Sequence, residues 1–302
     1  MVIFVFGGAV RTRIKALAVC AIHLFLSYPA LASWDKKAEG GVKGILPKQA
    51  LAVGTSRIVV IALEAEGADP QNSGVWVWEE DTKAWRQIVP GRFWAAAPAG
   101  DGTLWALARG GQRLERYSVR GEKLETKRLP QMGLSLLRVG DEFLFVRAAA
   151  MGEGKLLWRG NLETWQPWAL EPKSGRDIET LTKLNMLLVS GDDSAVVAVQ
   201  QFYPQDLLIL GANGEVKNMF QLDDLLRGSS HEAPVLDVAV SRHTVLLLSR
   251  EEGKLRRLWF LNTNTGRLRA EDAPEGAARI VLRGDSELLL VGEDLSIWSR
   301  KQ

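Results

Sequence analysis

Residues 101–111 read DGTLWALARGG. Asp-Gly is a turn signal, a short apolar run carrying a tryptophan follows, and Gly-Gly turns the chain again. One such unit says little, so its recurrence decides what it means. Turns of the Gly-Asp or Gly-x-Ser type between two apolar runs stand at Gly54-Thr55-Ser56, Gly100-Asp101-Gly102, Gly140-Asp141-Glu142, Gly191-Asp192-Asp193 and Gly284-Asp285-Ser286, and a degenerate copy, Ser241-Arg242-His243, fills the remaining gap. The successive intervals are 46, 40, 51, 50 and 43 residues. Each turn leads into an apolar run: IVVIAL, TLWALA, FLFV, AVVAV, TVLLL and ELLLV.

A second series runs in phase with the first. A bulky residue opens a polar turn and another apolar residue follows seven positions later, in the pairs Trp78 and Trp85, Tyr117 and Leu124, Trp158 and Trp165, Ile209 and Val216, Leu261 and Leu268, with Trp298 as a sixth opening residue. Turns such as VRGEK, GANGE and NTNTG lie between the members, and these are hairpin connections. Each unit is therefore two hairpins, or four short antiparallel strands.

A period of 40–50 residues with four strands is the unit of a β-propeller blade. A β-sandwich buries one face of each sheet and shows alternation, whereas the second strand of each unit here is continuously apolar. Radial stacking covers both faces of a sheet and accounts for that. The expectation is an all-β, six-bladed propeller over 33–302. Seven of the 11 tryptophans (Trp76, Trp78, Trp85, Trp158, Trp165, Trp259 and Trp298) fall on the outer two strands, where flat rings fill the widening gap between blades. The last unit has three strands before Gln302, so Val42 to Leu46, in GVKGIL, is expected to supply the missing outermost one and close the ring.

DGTLWALARGG resembles repeats of the two-component-regulator and tectonin-like propellers, in which D-G-T-x-W recurs. WFLNTNTGRL (residues 259–268) resembles the strand and T-G turn of quinoprotein-type repeats. Each likeness covers about ten residues of one blade, so it implies the propeller class and transfers no functional residue.

The first 32 residues are of another kind. Arg11, Arg13 and Lys15 precede an apolar run from Ala16 to Leu26, and Ala30-Leu31-Ala32 fits a small-x-small cleavage site before Ser33. These are the regions of a secretory signal peptide, and the run is short for a membrane span. Cys20 follows Val19, which makes a poor lipidation motif. A periplasmic or secreted protein cleaved after Ala32 is expected, with an uncleaved anchor as the alternative. Three of the 38 basic residues and none of the 36 acidic ones lie in this segment, so the remainder carries 35 against 36. That balance gives no basis for nucleic-acid binding. Cys20 is the single cysteine, so the mature chain has neither disulfide nor thiolate chemistry. No later run is long enough to cross a membrane as a helix, and a monomer is expected.

The residues offer little chemistry. His243 sits in the degenerate turn SRHTV, and His231 in LRGSSHEAP lies beside Ser229, Ser230 and Glu232 without a nucleophile elbow. The acidic clusters (Glu64, Glu66 and Asp69; Asp192-Asp193; Asp223-Asp224) lack calcium-loop spacing, and zinc would want histidine or cysteine. No catalytic residue, metal ligand or cofactor is expected. Geometry is more informative. The ends of the second strands share one face with the longer connections 64–74, 171–180 and 222–233, where ligand sites tend to sit. Those ends carry Arg109, Arg147, Gln200 and Arg250, with Glu64 and Glu293 in the other two blades. A polar, largely basic rim of this kind suits a protein partner or an anionic ligand. The first reading is a non-catalytic binding or scaffolding module. The second is a propeller hydrolase or lyase acting on a sugar or lactone, through carboxylates or a metal in the central funnel.

Overall fold

The computed structural model describes residues 33–147, 157–168, 187–192, 195–200, 206–211, 214–222, 226, 235–251, 255–284 and 286–300. Strand β1 (Trp34–Ala38) comes first in the chain but belongs to the last blade. Blade one is β2 (Ile45–Val53), β3 (Arg57–Glu64), β4 (Gly74–Glu79) and β5 (Ala84–Pro90). Blade two is β6 (Phe93–Pro98), β7 (Leu104–Ala108), β8 (Arg113–Tyr117) and β9 (Lys123–Arg128), and blade three is β10 (Gly133–Val139), β11 (Glu142–Arg147), β12 (Leu157–Gly160) and β13 (Trp165–Pro167). Blade four is β14 (Leu187–Gly191), β15 (Val196–Gln200), β16 (Asp206–Leu210) and β17 (Val216–Gln221). Blade five is β18 (Val235–Ser241), β19 (Thr244–Arg250), β20 (Arg256–Asn262) and β21 (Leu268–Ala273). Blade six is β22 (Ala277–Arg283), β23 (Glu287–Gly292) and β24 (Ile297–Arg300), completed by β1. Six antiparallel sheets of four strands result, and no helix among the described residues is long and apolar enough to cross a membrane.

The continuously apolar second strands are explained by six hydrophobic clusters, one in each gap between neighbouring blades. On β3, Val59 and Ile61 pack toward blade two, while Ile58, Val60 and Ala62 pack toward blade six. A strand whose two faces both meet a neighbouring sheet has no polar side to show. The outer strands carry the rings. The Trp85 indole N–H donates to the Leu295 carbonyl of blade six at 2.8 Å, and that of Trp34 donates to the Asp272 carbonyl of blade five at 3.0 Å. Trp34 thereby joins the seven outer-strand tryptophans as an eighth.

One sequence expectation is corrected. Ring closure is made by Trp34–Ala38, which pairs with β24 from Trp34↔Arg300 to Ala38↔Ile297. Residues 42–46 instead lead into β2, the innermost strand of blade one. The composition explains the exchange: WDKKA has the polarity of the other outermost strands, KLETKR and LRAEDA, whereas Ile45 is buried. The seven-residue pairs are direct cross-strand partners at Trp78↔Trp85 and Leu261↔Leu268. In blades two, three and four the register differs: Tyr117 pairs with Lys123, Trp158 with Pro167, and Ile209 with Asn218.

Candidate functional site

The second strands all end on one face of the disc, here called the upper face, and the predicted rim residues sit there. Glu64 ends β3. Its carboxylate pairs with Arg92 of blade two and accepts from the Ser73 hydroxyl, while the Glu64 N–H donates to that same oxygen at 2.8 Å. Arg109 follows β7, and its backbone N–H donates to the Arg92 carbonyl at 2.8 Å. Its guanidinium is exposed and has no acceptor among the described residues. Arg250 ends β19 and lies 3.6 Å from Glu293 of blade six, which also takes the nearly buried Arg256 at 2.8 Å. Arg147 ends β11 opposite Gly133. Gln200 ends β15, and its side chain lies outside the described residues, as do loop 171–180, His231 and all of 222–233 except Leu222 and Leu226. The structure thus joins Arg250 to Glu293 and sets Arg109 beside the Arg92–Glu64 pair.

Arg109 stands where two clefts meet. One is lined by Leu63, Glu64, Arg92, Phe93, Trp94 and Arg109. The other, of about 360 Å³, shares Arg92, Phe93 and Arg109 and continues outward to Arg113, Glu115 and Tyr117. Together they form a groove between blades one and two. At its outer end Glu115 is buried; burial pushes its carboxyl up, but hydrogen bonds from Lys123 and Tyr117 and the charge of Arg113 hold it below the usual range. Tyr117, buried against that carboxylate, is pushed up. These groups satisfy one another. Arg109 does not share in that network.

At its inner end the groove reaches Trp94, and Trp94 belongs to a second arrangement. The innermost strands of five blades carry a β-bulge near their upper ends, with Lys48, Trp94, Leu134, Leu236 and Ala278 as the extra residues. A bulge breaks the ladder and re-aims its neighbours. The residues that follow occupy one register position: Gln49, Ala95, Ser135, Asp237 and Arg279. Where these side chains can reach, they bridge blades in the same way. Gln49 Oε1 accepts from the Ala96 N–H at 2.7 Å, and Asp237 Oδ2 accepts from the Ile280 N–H at 2.7 Å. Arg279 donates from Nε to the Lys48 carbonyl at 2.8 Å and from Nη1 to the Leu236 and Ala278 carbonyls at 3.1 and 2.6 Å. The Ser135 hydroxyl is buried and has no hydrogen-bond partner.

This neck of the channel is electrostatically unusual. The Lys48 ammonium lies 3.9 Å from the centre of the Trp94 ring, a cation–π contact. It has no carboxylate partner among the described residues. Burial, and after it the Arg279 charge, lower Lys48 to about 8. Burial raises Asp237 to about 6, against the opposing pull of Arg279 and two backbone N–H groups. Arg279 is itself lowered by burial, with Asp237 and Glu293 opposing.

The reading from sequence passed over Lys48, Gln49, Trp94, Asp237 and Arg279, although a signal for them exists. In each of the five blades the tight inner turn holds a residue in the left-handed region: Gly54, Gly100, Gly140, Arg242 and Gly284. The bulged residue lies six positions before it and the axial residue five. In the degenerate turn Arg242 takes the glycine's place at φ 52°. His243 beside it is an exposed turn residue whose carbonyl accepts from the Thr263 N–H at 2.8 Å. No group of three or more His, Cys, Asp or Glu among the described residues is placed to hold a metal ion. Asp237 is the only acid on the described innermost strands.

No family model matches the sequence, and no curated protein is detectably similar to it. Solved structures do match. A gluconolactonase from Xanthomonas campestris superposes with a TM-score of 0.60 at 13% identity, covering 89% of each chain. The PQQ-bound aldose sugar dehydrogenase of Streptomyces coelicolor gives 0.57 at 12% identity, covering 90% of this chain and 99% of its own. A streptogramin B lyase gives 0.57 at 8% identity, covering 90% and 98%. At such identities the likeness is one of fold, and the fold is the six-bladed β-propeller.

Proposed function

We propose that this protein is an exported, non-catalytic binding propeller whose upper face captures an acidic segment of a protein partner in the groove between blades one and two. The observation that carries the reading is Arg109. It is an exposed guanidinium at the junction of two clefts, with no acceptor among the described residues, beside an Arg92 already committed to Glu64. A planar guanidinium free at a cleft junction is suited to gripping a carboxylate with two hydrogen bonds. Two adjoining clefts that share Arg92, Phe93 and Arg109 favour an extended chain over a compact ligand. Export rests on the leader-like residues 1–32, with their basic residues, apolar run and small-residue site.

A fluorescently labelled oligoglutamate peptide, titrated into the mature protein, tests this. Binding is expected to weaken as salt rises and to fall about tenfold, or about 1.4 kcal/mol, in Arg109→Gln. No binding to the wild type, or equal binding to both proteins, overturns the reading. Binding of inorganic phosphate at Arg109 in place of the peptide would make the ligand a small anion.

A further inference from the structure

We infer that the neck of the central channel is a second, separate binding site, for one small monocarboxylate held between the Lys48 ammonium and the free face of the Arg279 guanidinium. The inference stands on the axial residues and does not depend on the groove. Arg279 spends Nε and both Nη1 hydrogens on the Lys48, Leu236 and Ala278 carbonyls, which fixes its plane across blades five, six and one. Its Nη2 has no acceptor among the described residues. The carbonyl that holds Nε is that of Lys48 itself, and the Arg279 charge acts on the Lys48 ammonium.

The charges around them give the class of ligand. Facing Arg279 from blade five is Asp237, whose Oδ2 is already bonded to the Ile280 N–H. From blade one come Lys48 and the neutral Gln49, from blade two Trp94 and Ala95, and from blade three Leu134 and Ser135. Glu293 acts on Arg279 from the rim but is held by Arg256 and Arg250. Among the described residues, two cations against one acid leave a single positive charge in a half-buried place, and such charge is costly unless something compensates it. The depressed Lys48 reports that cost. One monovalent oxyanion would cancel the excess and accept from Nζ and Nη2 together. The half-buried Trp94 and Leu134, bulge residues of the same ring, give a short alkyl tail an apolar surface. A divalent anion would overshoot the charge beside Asp237.

Thermal unfolding and equilibrium dialysis with sodium acetate and sodium propionate, against sodium chloride at matched ionic strength, test the proposal. The wild type is expected to bind one carboxylate per chain and to melt higher in acetate than in chloride. Lys48→Met should melt higher than wild type without acetate, since the uncompensated charge is gone, and should bind acetate at least about tenfold more weakly. Lys48→Arg should keep most of the binding. If Lys48→Met does not fold, Lys48→Gln is measured in its place. Absence of a carboxylate effect on the wild type, equal binding by the uncharged variant, or tighter binding of inorganic phosphate than of acetate overturns the inference. The two sites fail separately: the acidic peptide reports on the groove, acetate on the neck.

Discussion

The Arg279 guanidinium donates its Nε–H to the Lys48 main-chain carbonyl at 2.8 Å, so the innermost strand of the last blade is bonded directly to that of the first across 231 residues of chain. Two further carbonyls accept from the same side chain. Propeller closure is thus made twice: at the circumference by β1 on β24, and at the axis by one arginine.

Arg279→Met should therefore destabilise the fold, because three inward carbonyls lose their donor and Asp237 loses its counter-charge. The expected cost is about 3 kcal/mol, read as a lower denaturation midpoint with an unchanged slope. A loss below about 1 kcal/mol would show that channel water satisfies those carbonyls equally well.

Asp237 predicts a pH dependence. Its folded pKa, raised to about 6 from 3.8, means that the native state binds the proton more tightly than the unfolded chain does. Stability therefore falls as pH rises between about 4 and 6 and levels off above that, by about 2–3 kcal/mol at most. Asp237→Asn lacks this group and should lack this part of the slope. The stability difference between the two proteins, followed from acid to neutral pH, checks it. A difference that stays flat means an ordinary carboxylate.

Lys48 has the opposite sign. Its pKa is lowered to about 8 from 10.5, so the cost of the buried charge is fully present below pH 8 and is relieved as pH rises toward 10.5. The Trp94 contact returns about 1 kcal/mol of that cost. Lys48→Met should be more stable at neutral pH by about 1–2 kcal/mol, and its advantage should shrink above pH 8. A less stable Lys48→Met at pH 7 would show that the ammonium is better solvated than its surroundings suggest.

At the rim, changing the exposed Arg109 and Arg250 together to Gln should leave stability within about 0.5 kcal/mol, since exposed charges contribute little. Glu293 keeps Arg256 when Arg250 is gone. Unfolding of the double variant in calorimetry would identify these arginines as structural.

Deleting residues 33–39 removes β1 and leaves β24 with an unpaired edge. Such edges recruit other chains, so a lower melting temperature and association in light scattering are expected. A truncated protein that melts like the wild type and stays monodisperse would assign closure to the axis alone.

The repeat, the number of blades and the inner hairpins can be read from the residues alone, because these depend on local turn chemistry and on apolar runs a few residues long. Gly100-Asp101 announces its turn wherever the blade stands. Burial on both faces was legible too, as in IVVIAL. The tertiary structure decided which N-terminal segment closes the ring, since WDKKA and GVKGIL lie close together and only pairing with β24 distinguishes them. It also decided the axial site. Lys48, Trp94, Asp237 and Arg279 come from four blades, and each is one unremarkable residue in its own strand. They meet because a one-residue bulge recurs in five innermost strands and the ring turns those strands toward a common axis. That convergence is a sum of rotations between blades, and no local stretch of the sequence carries it.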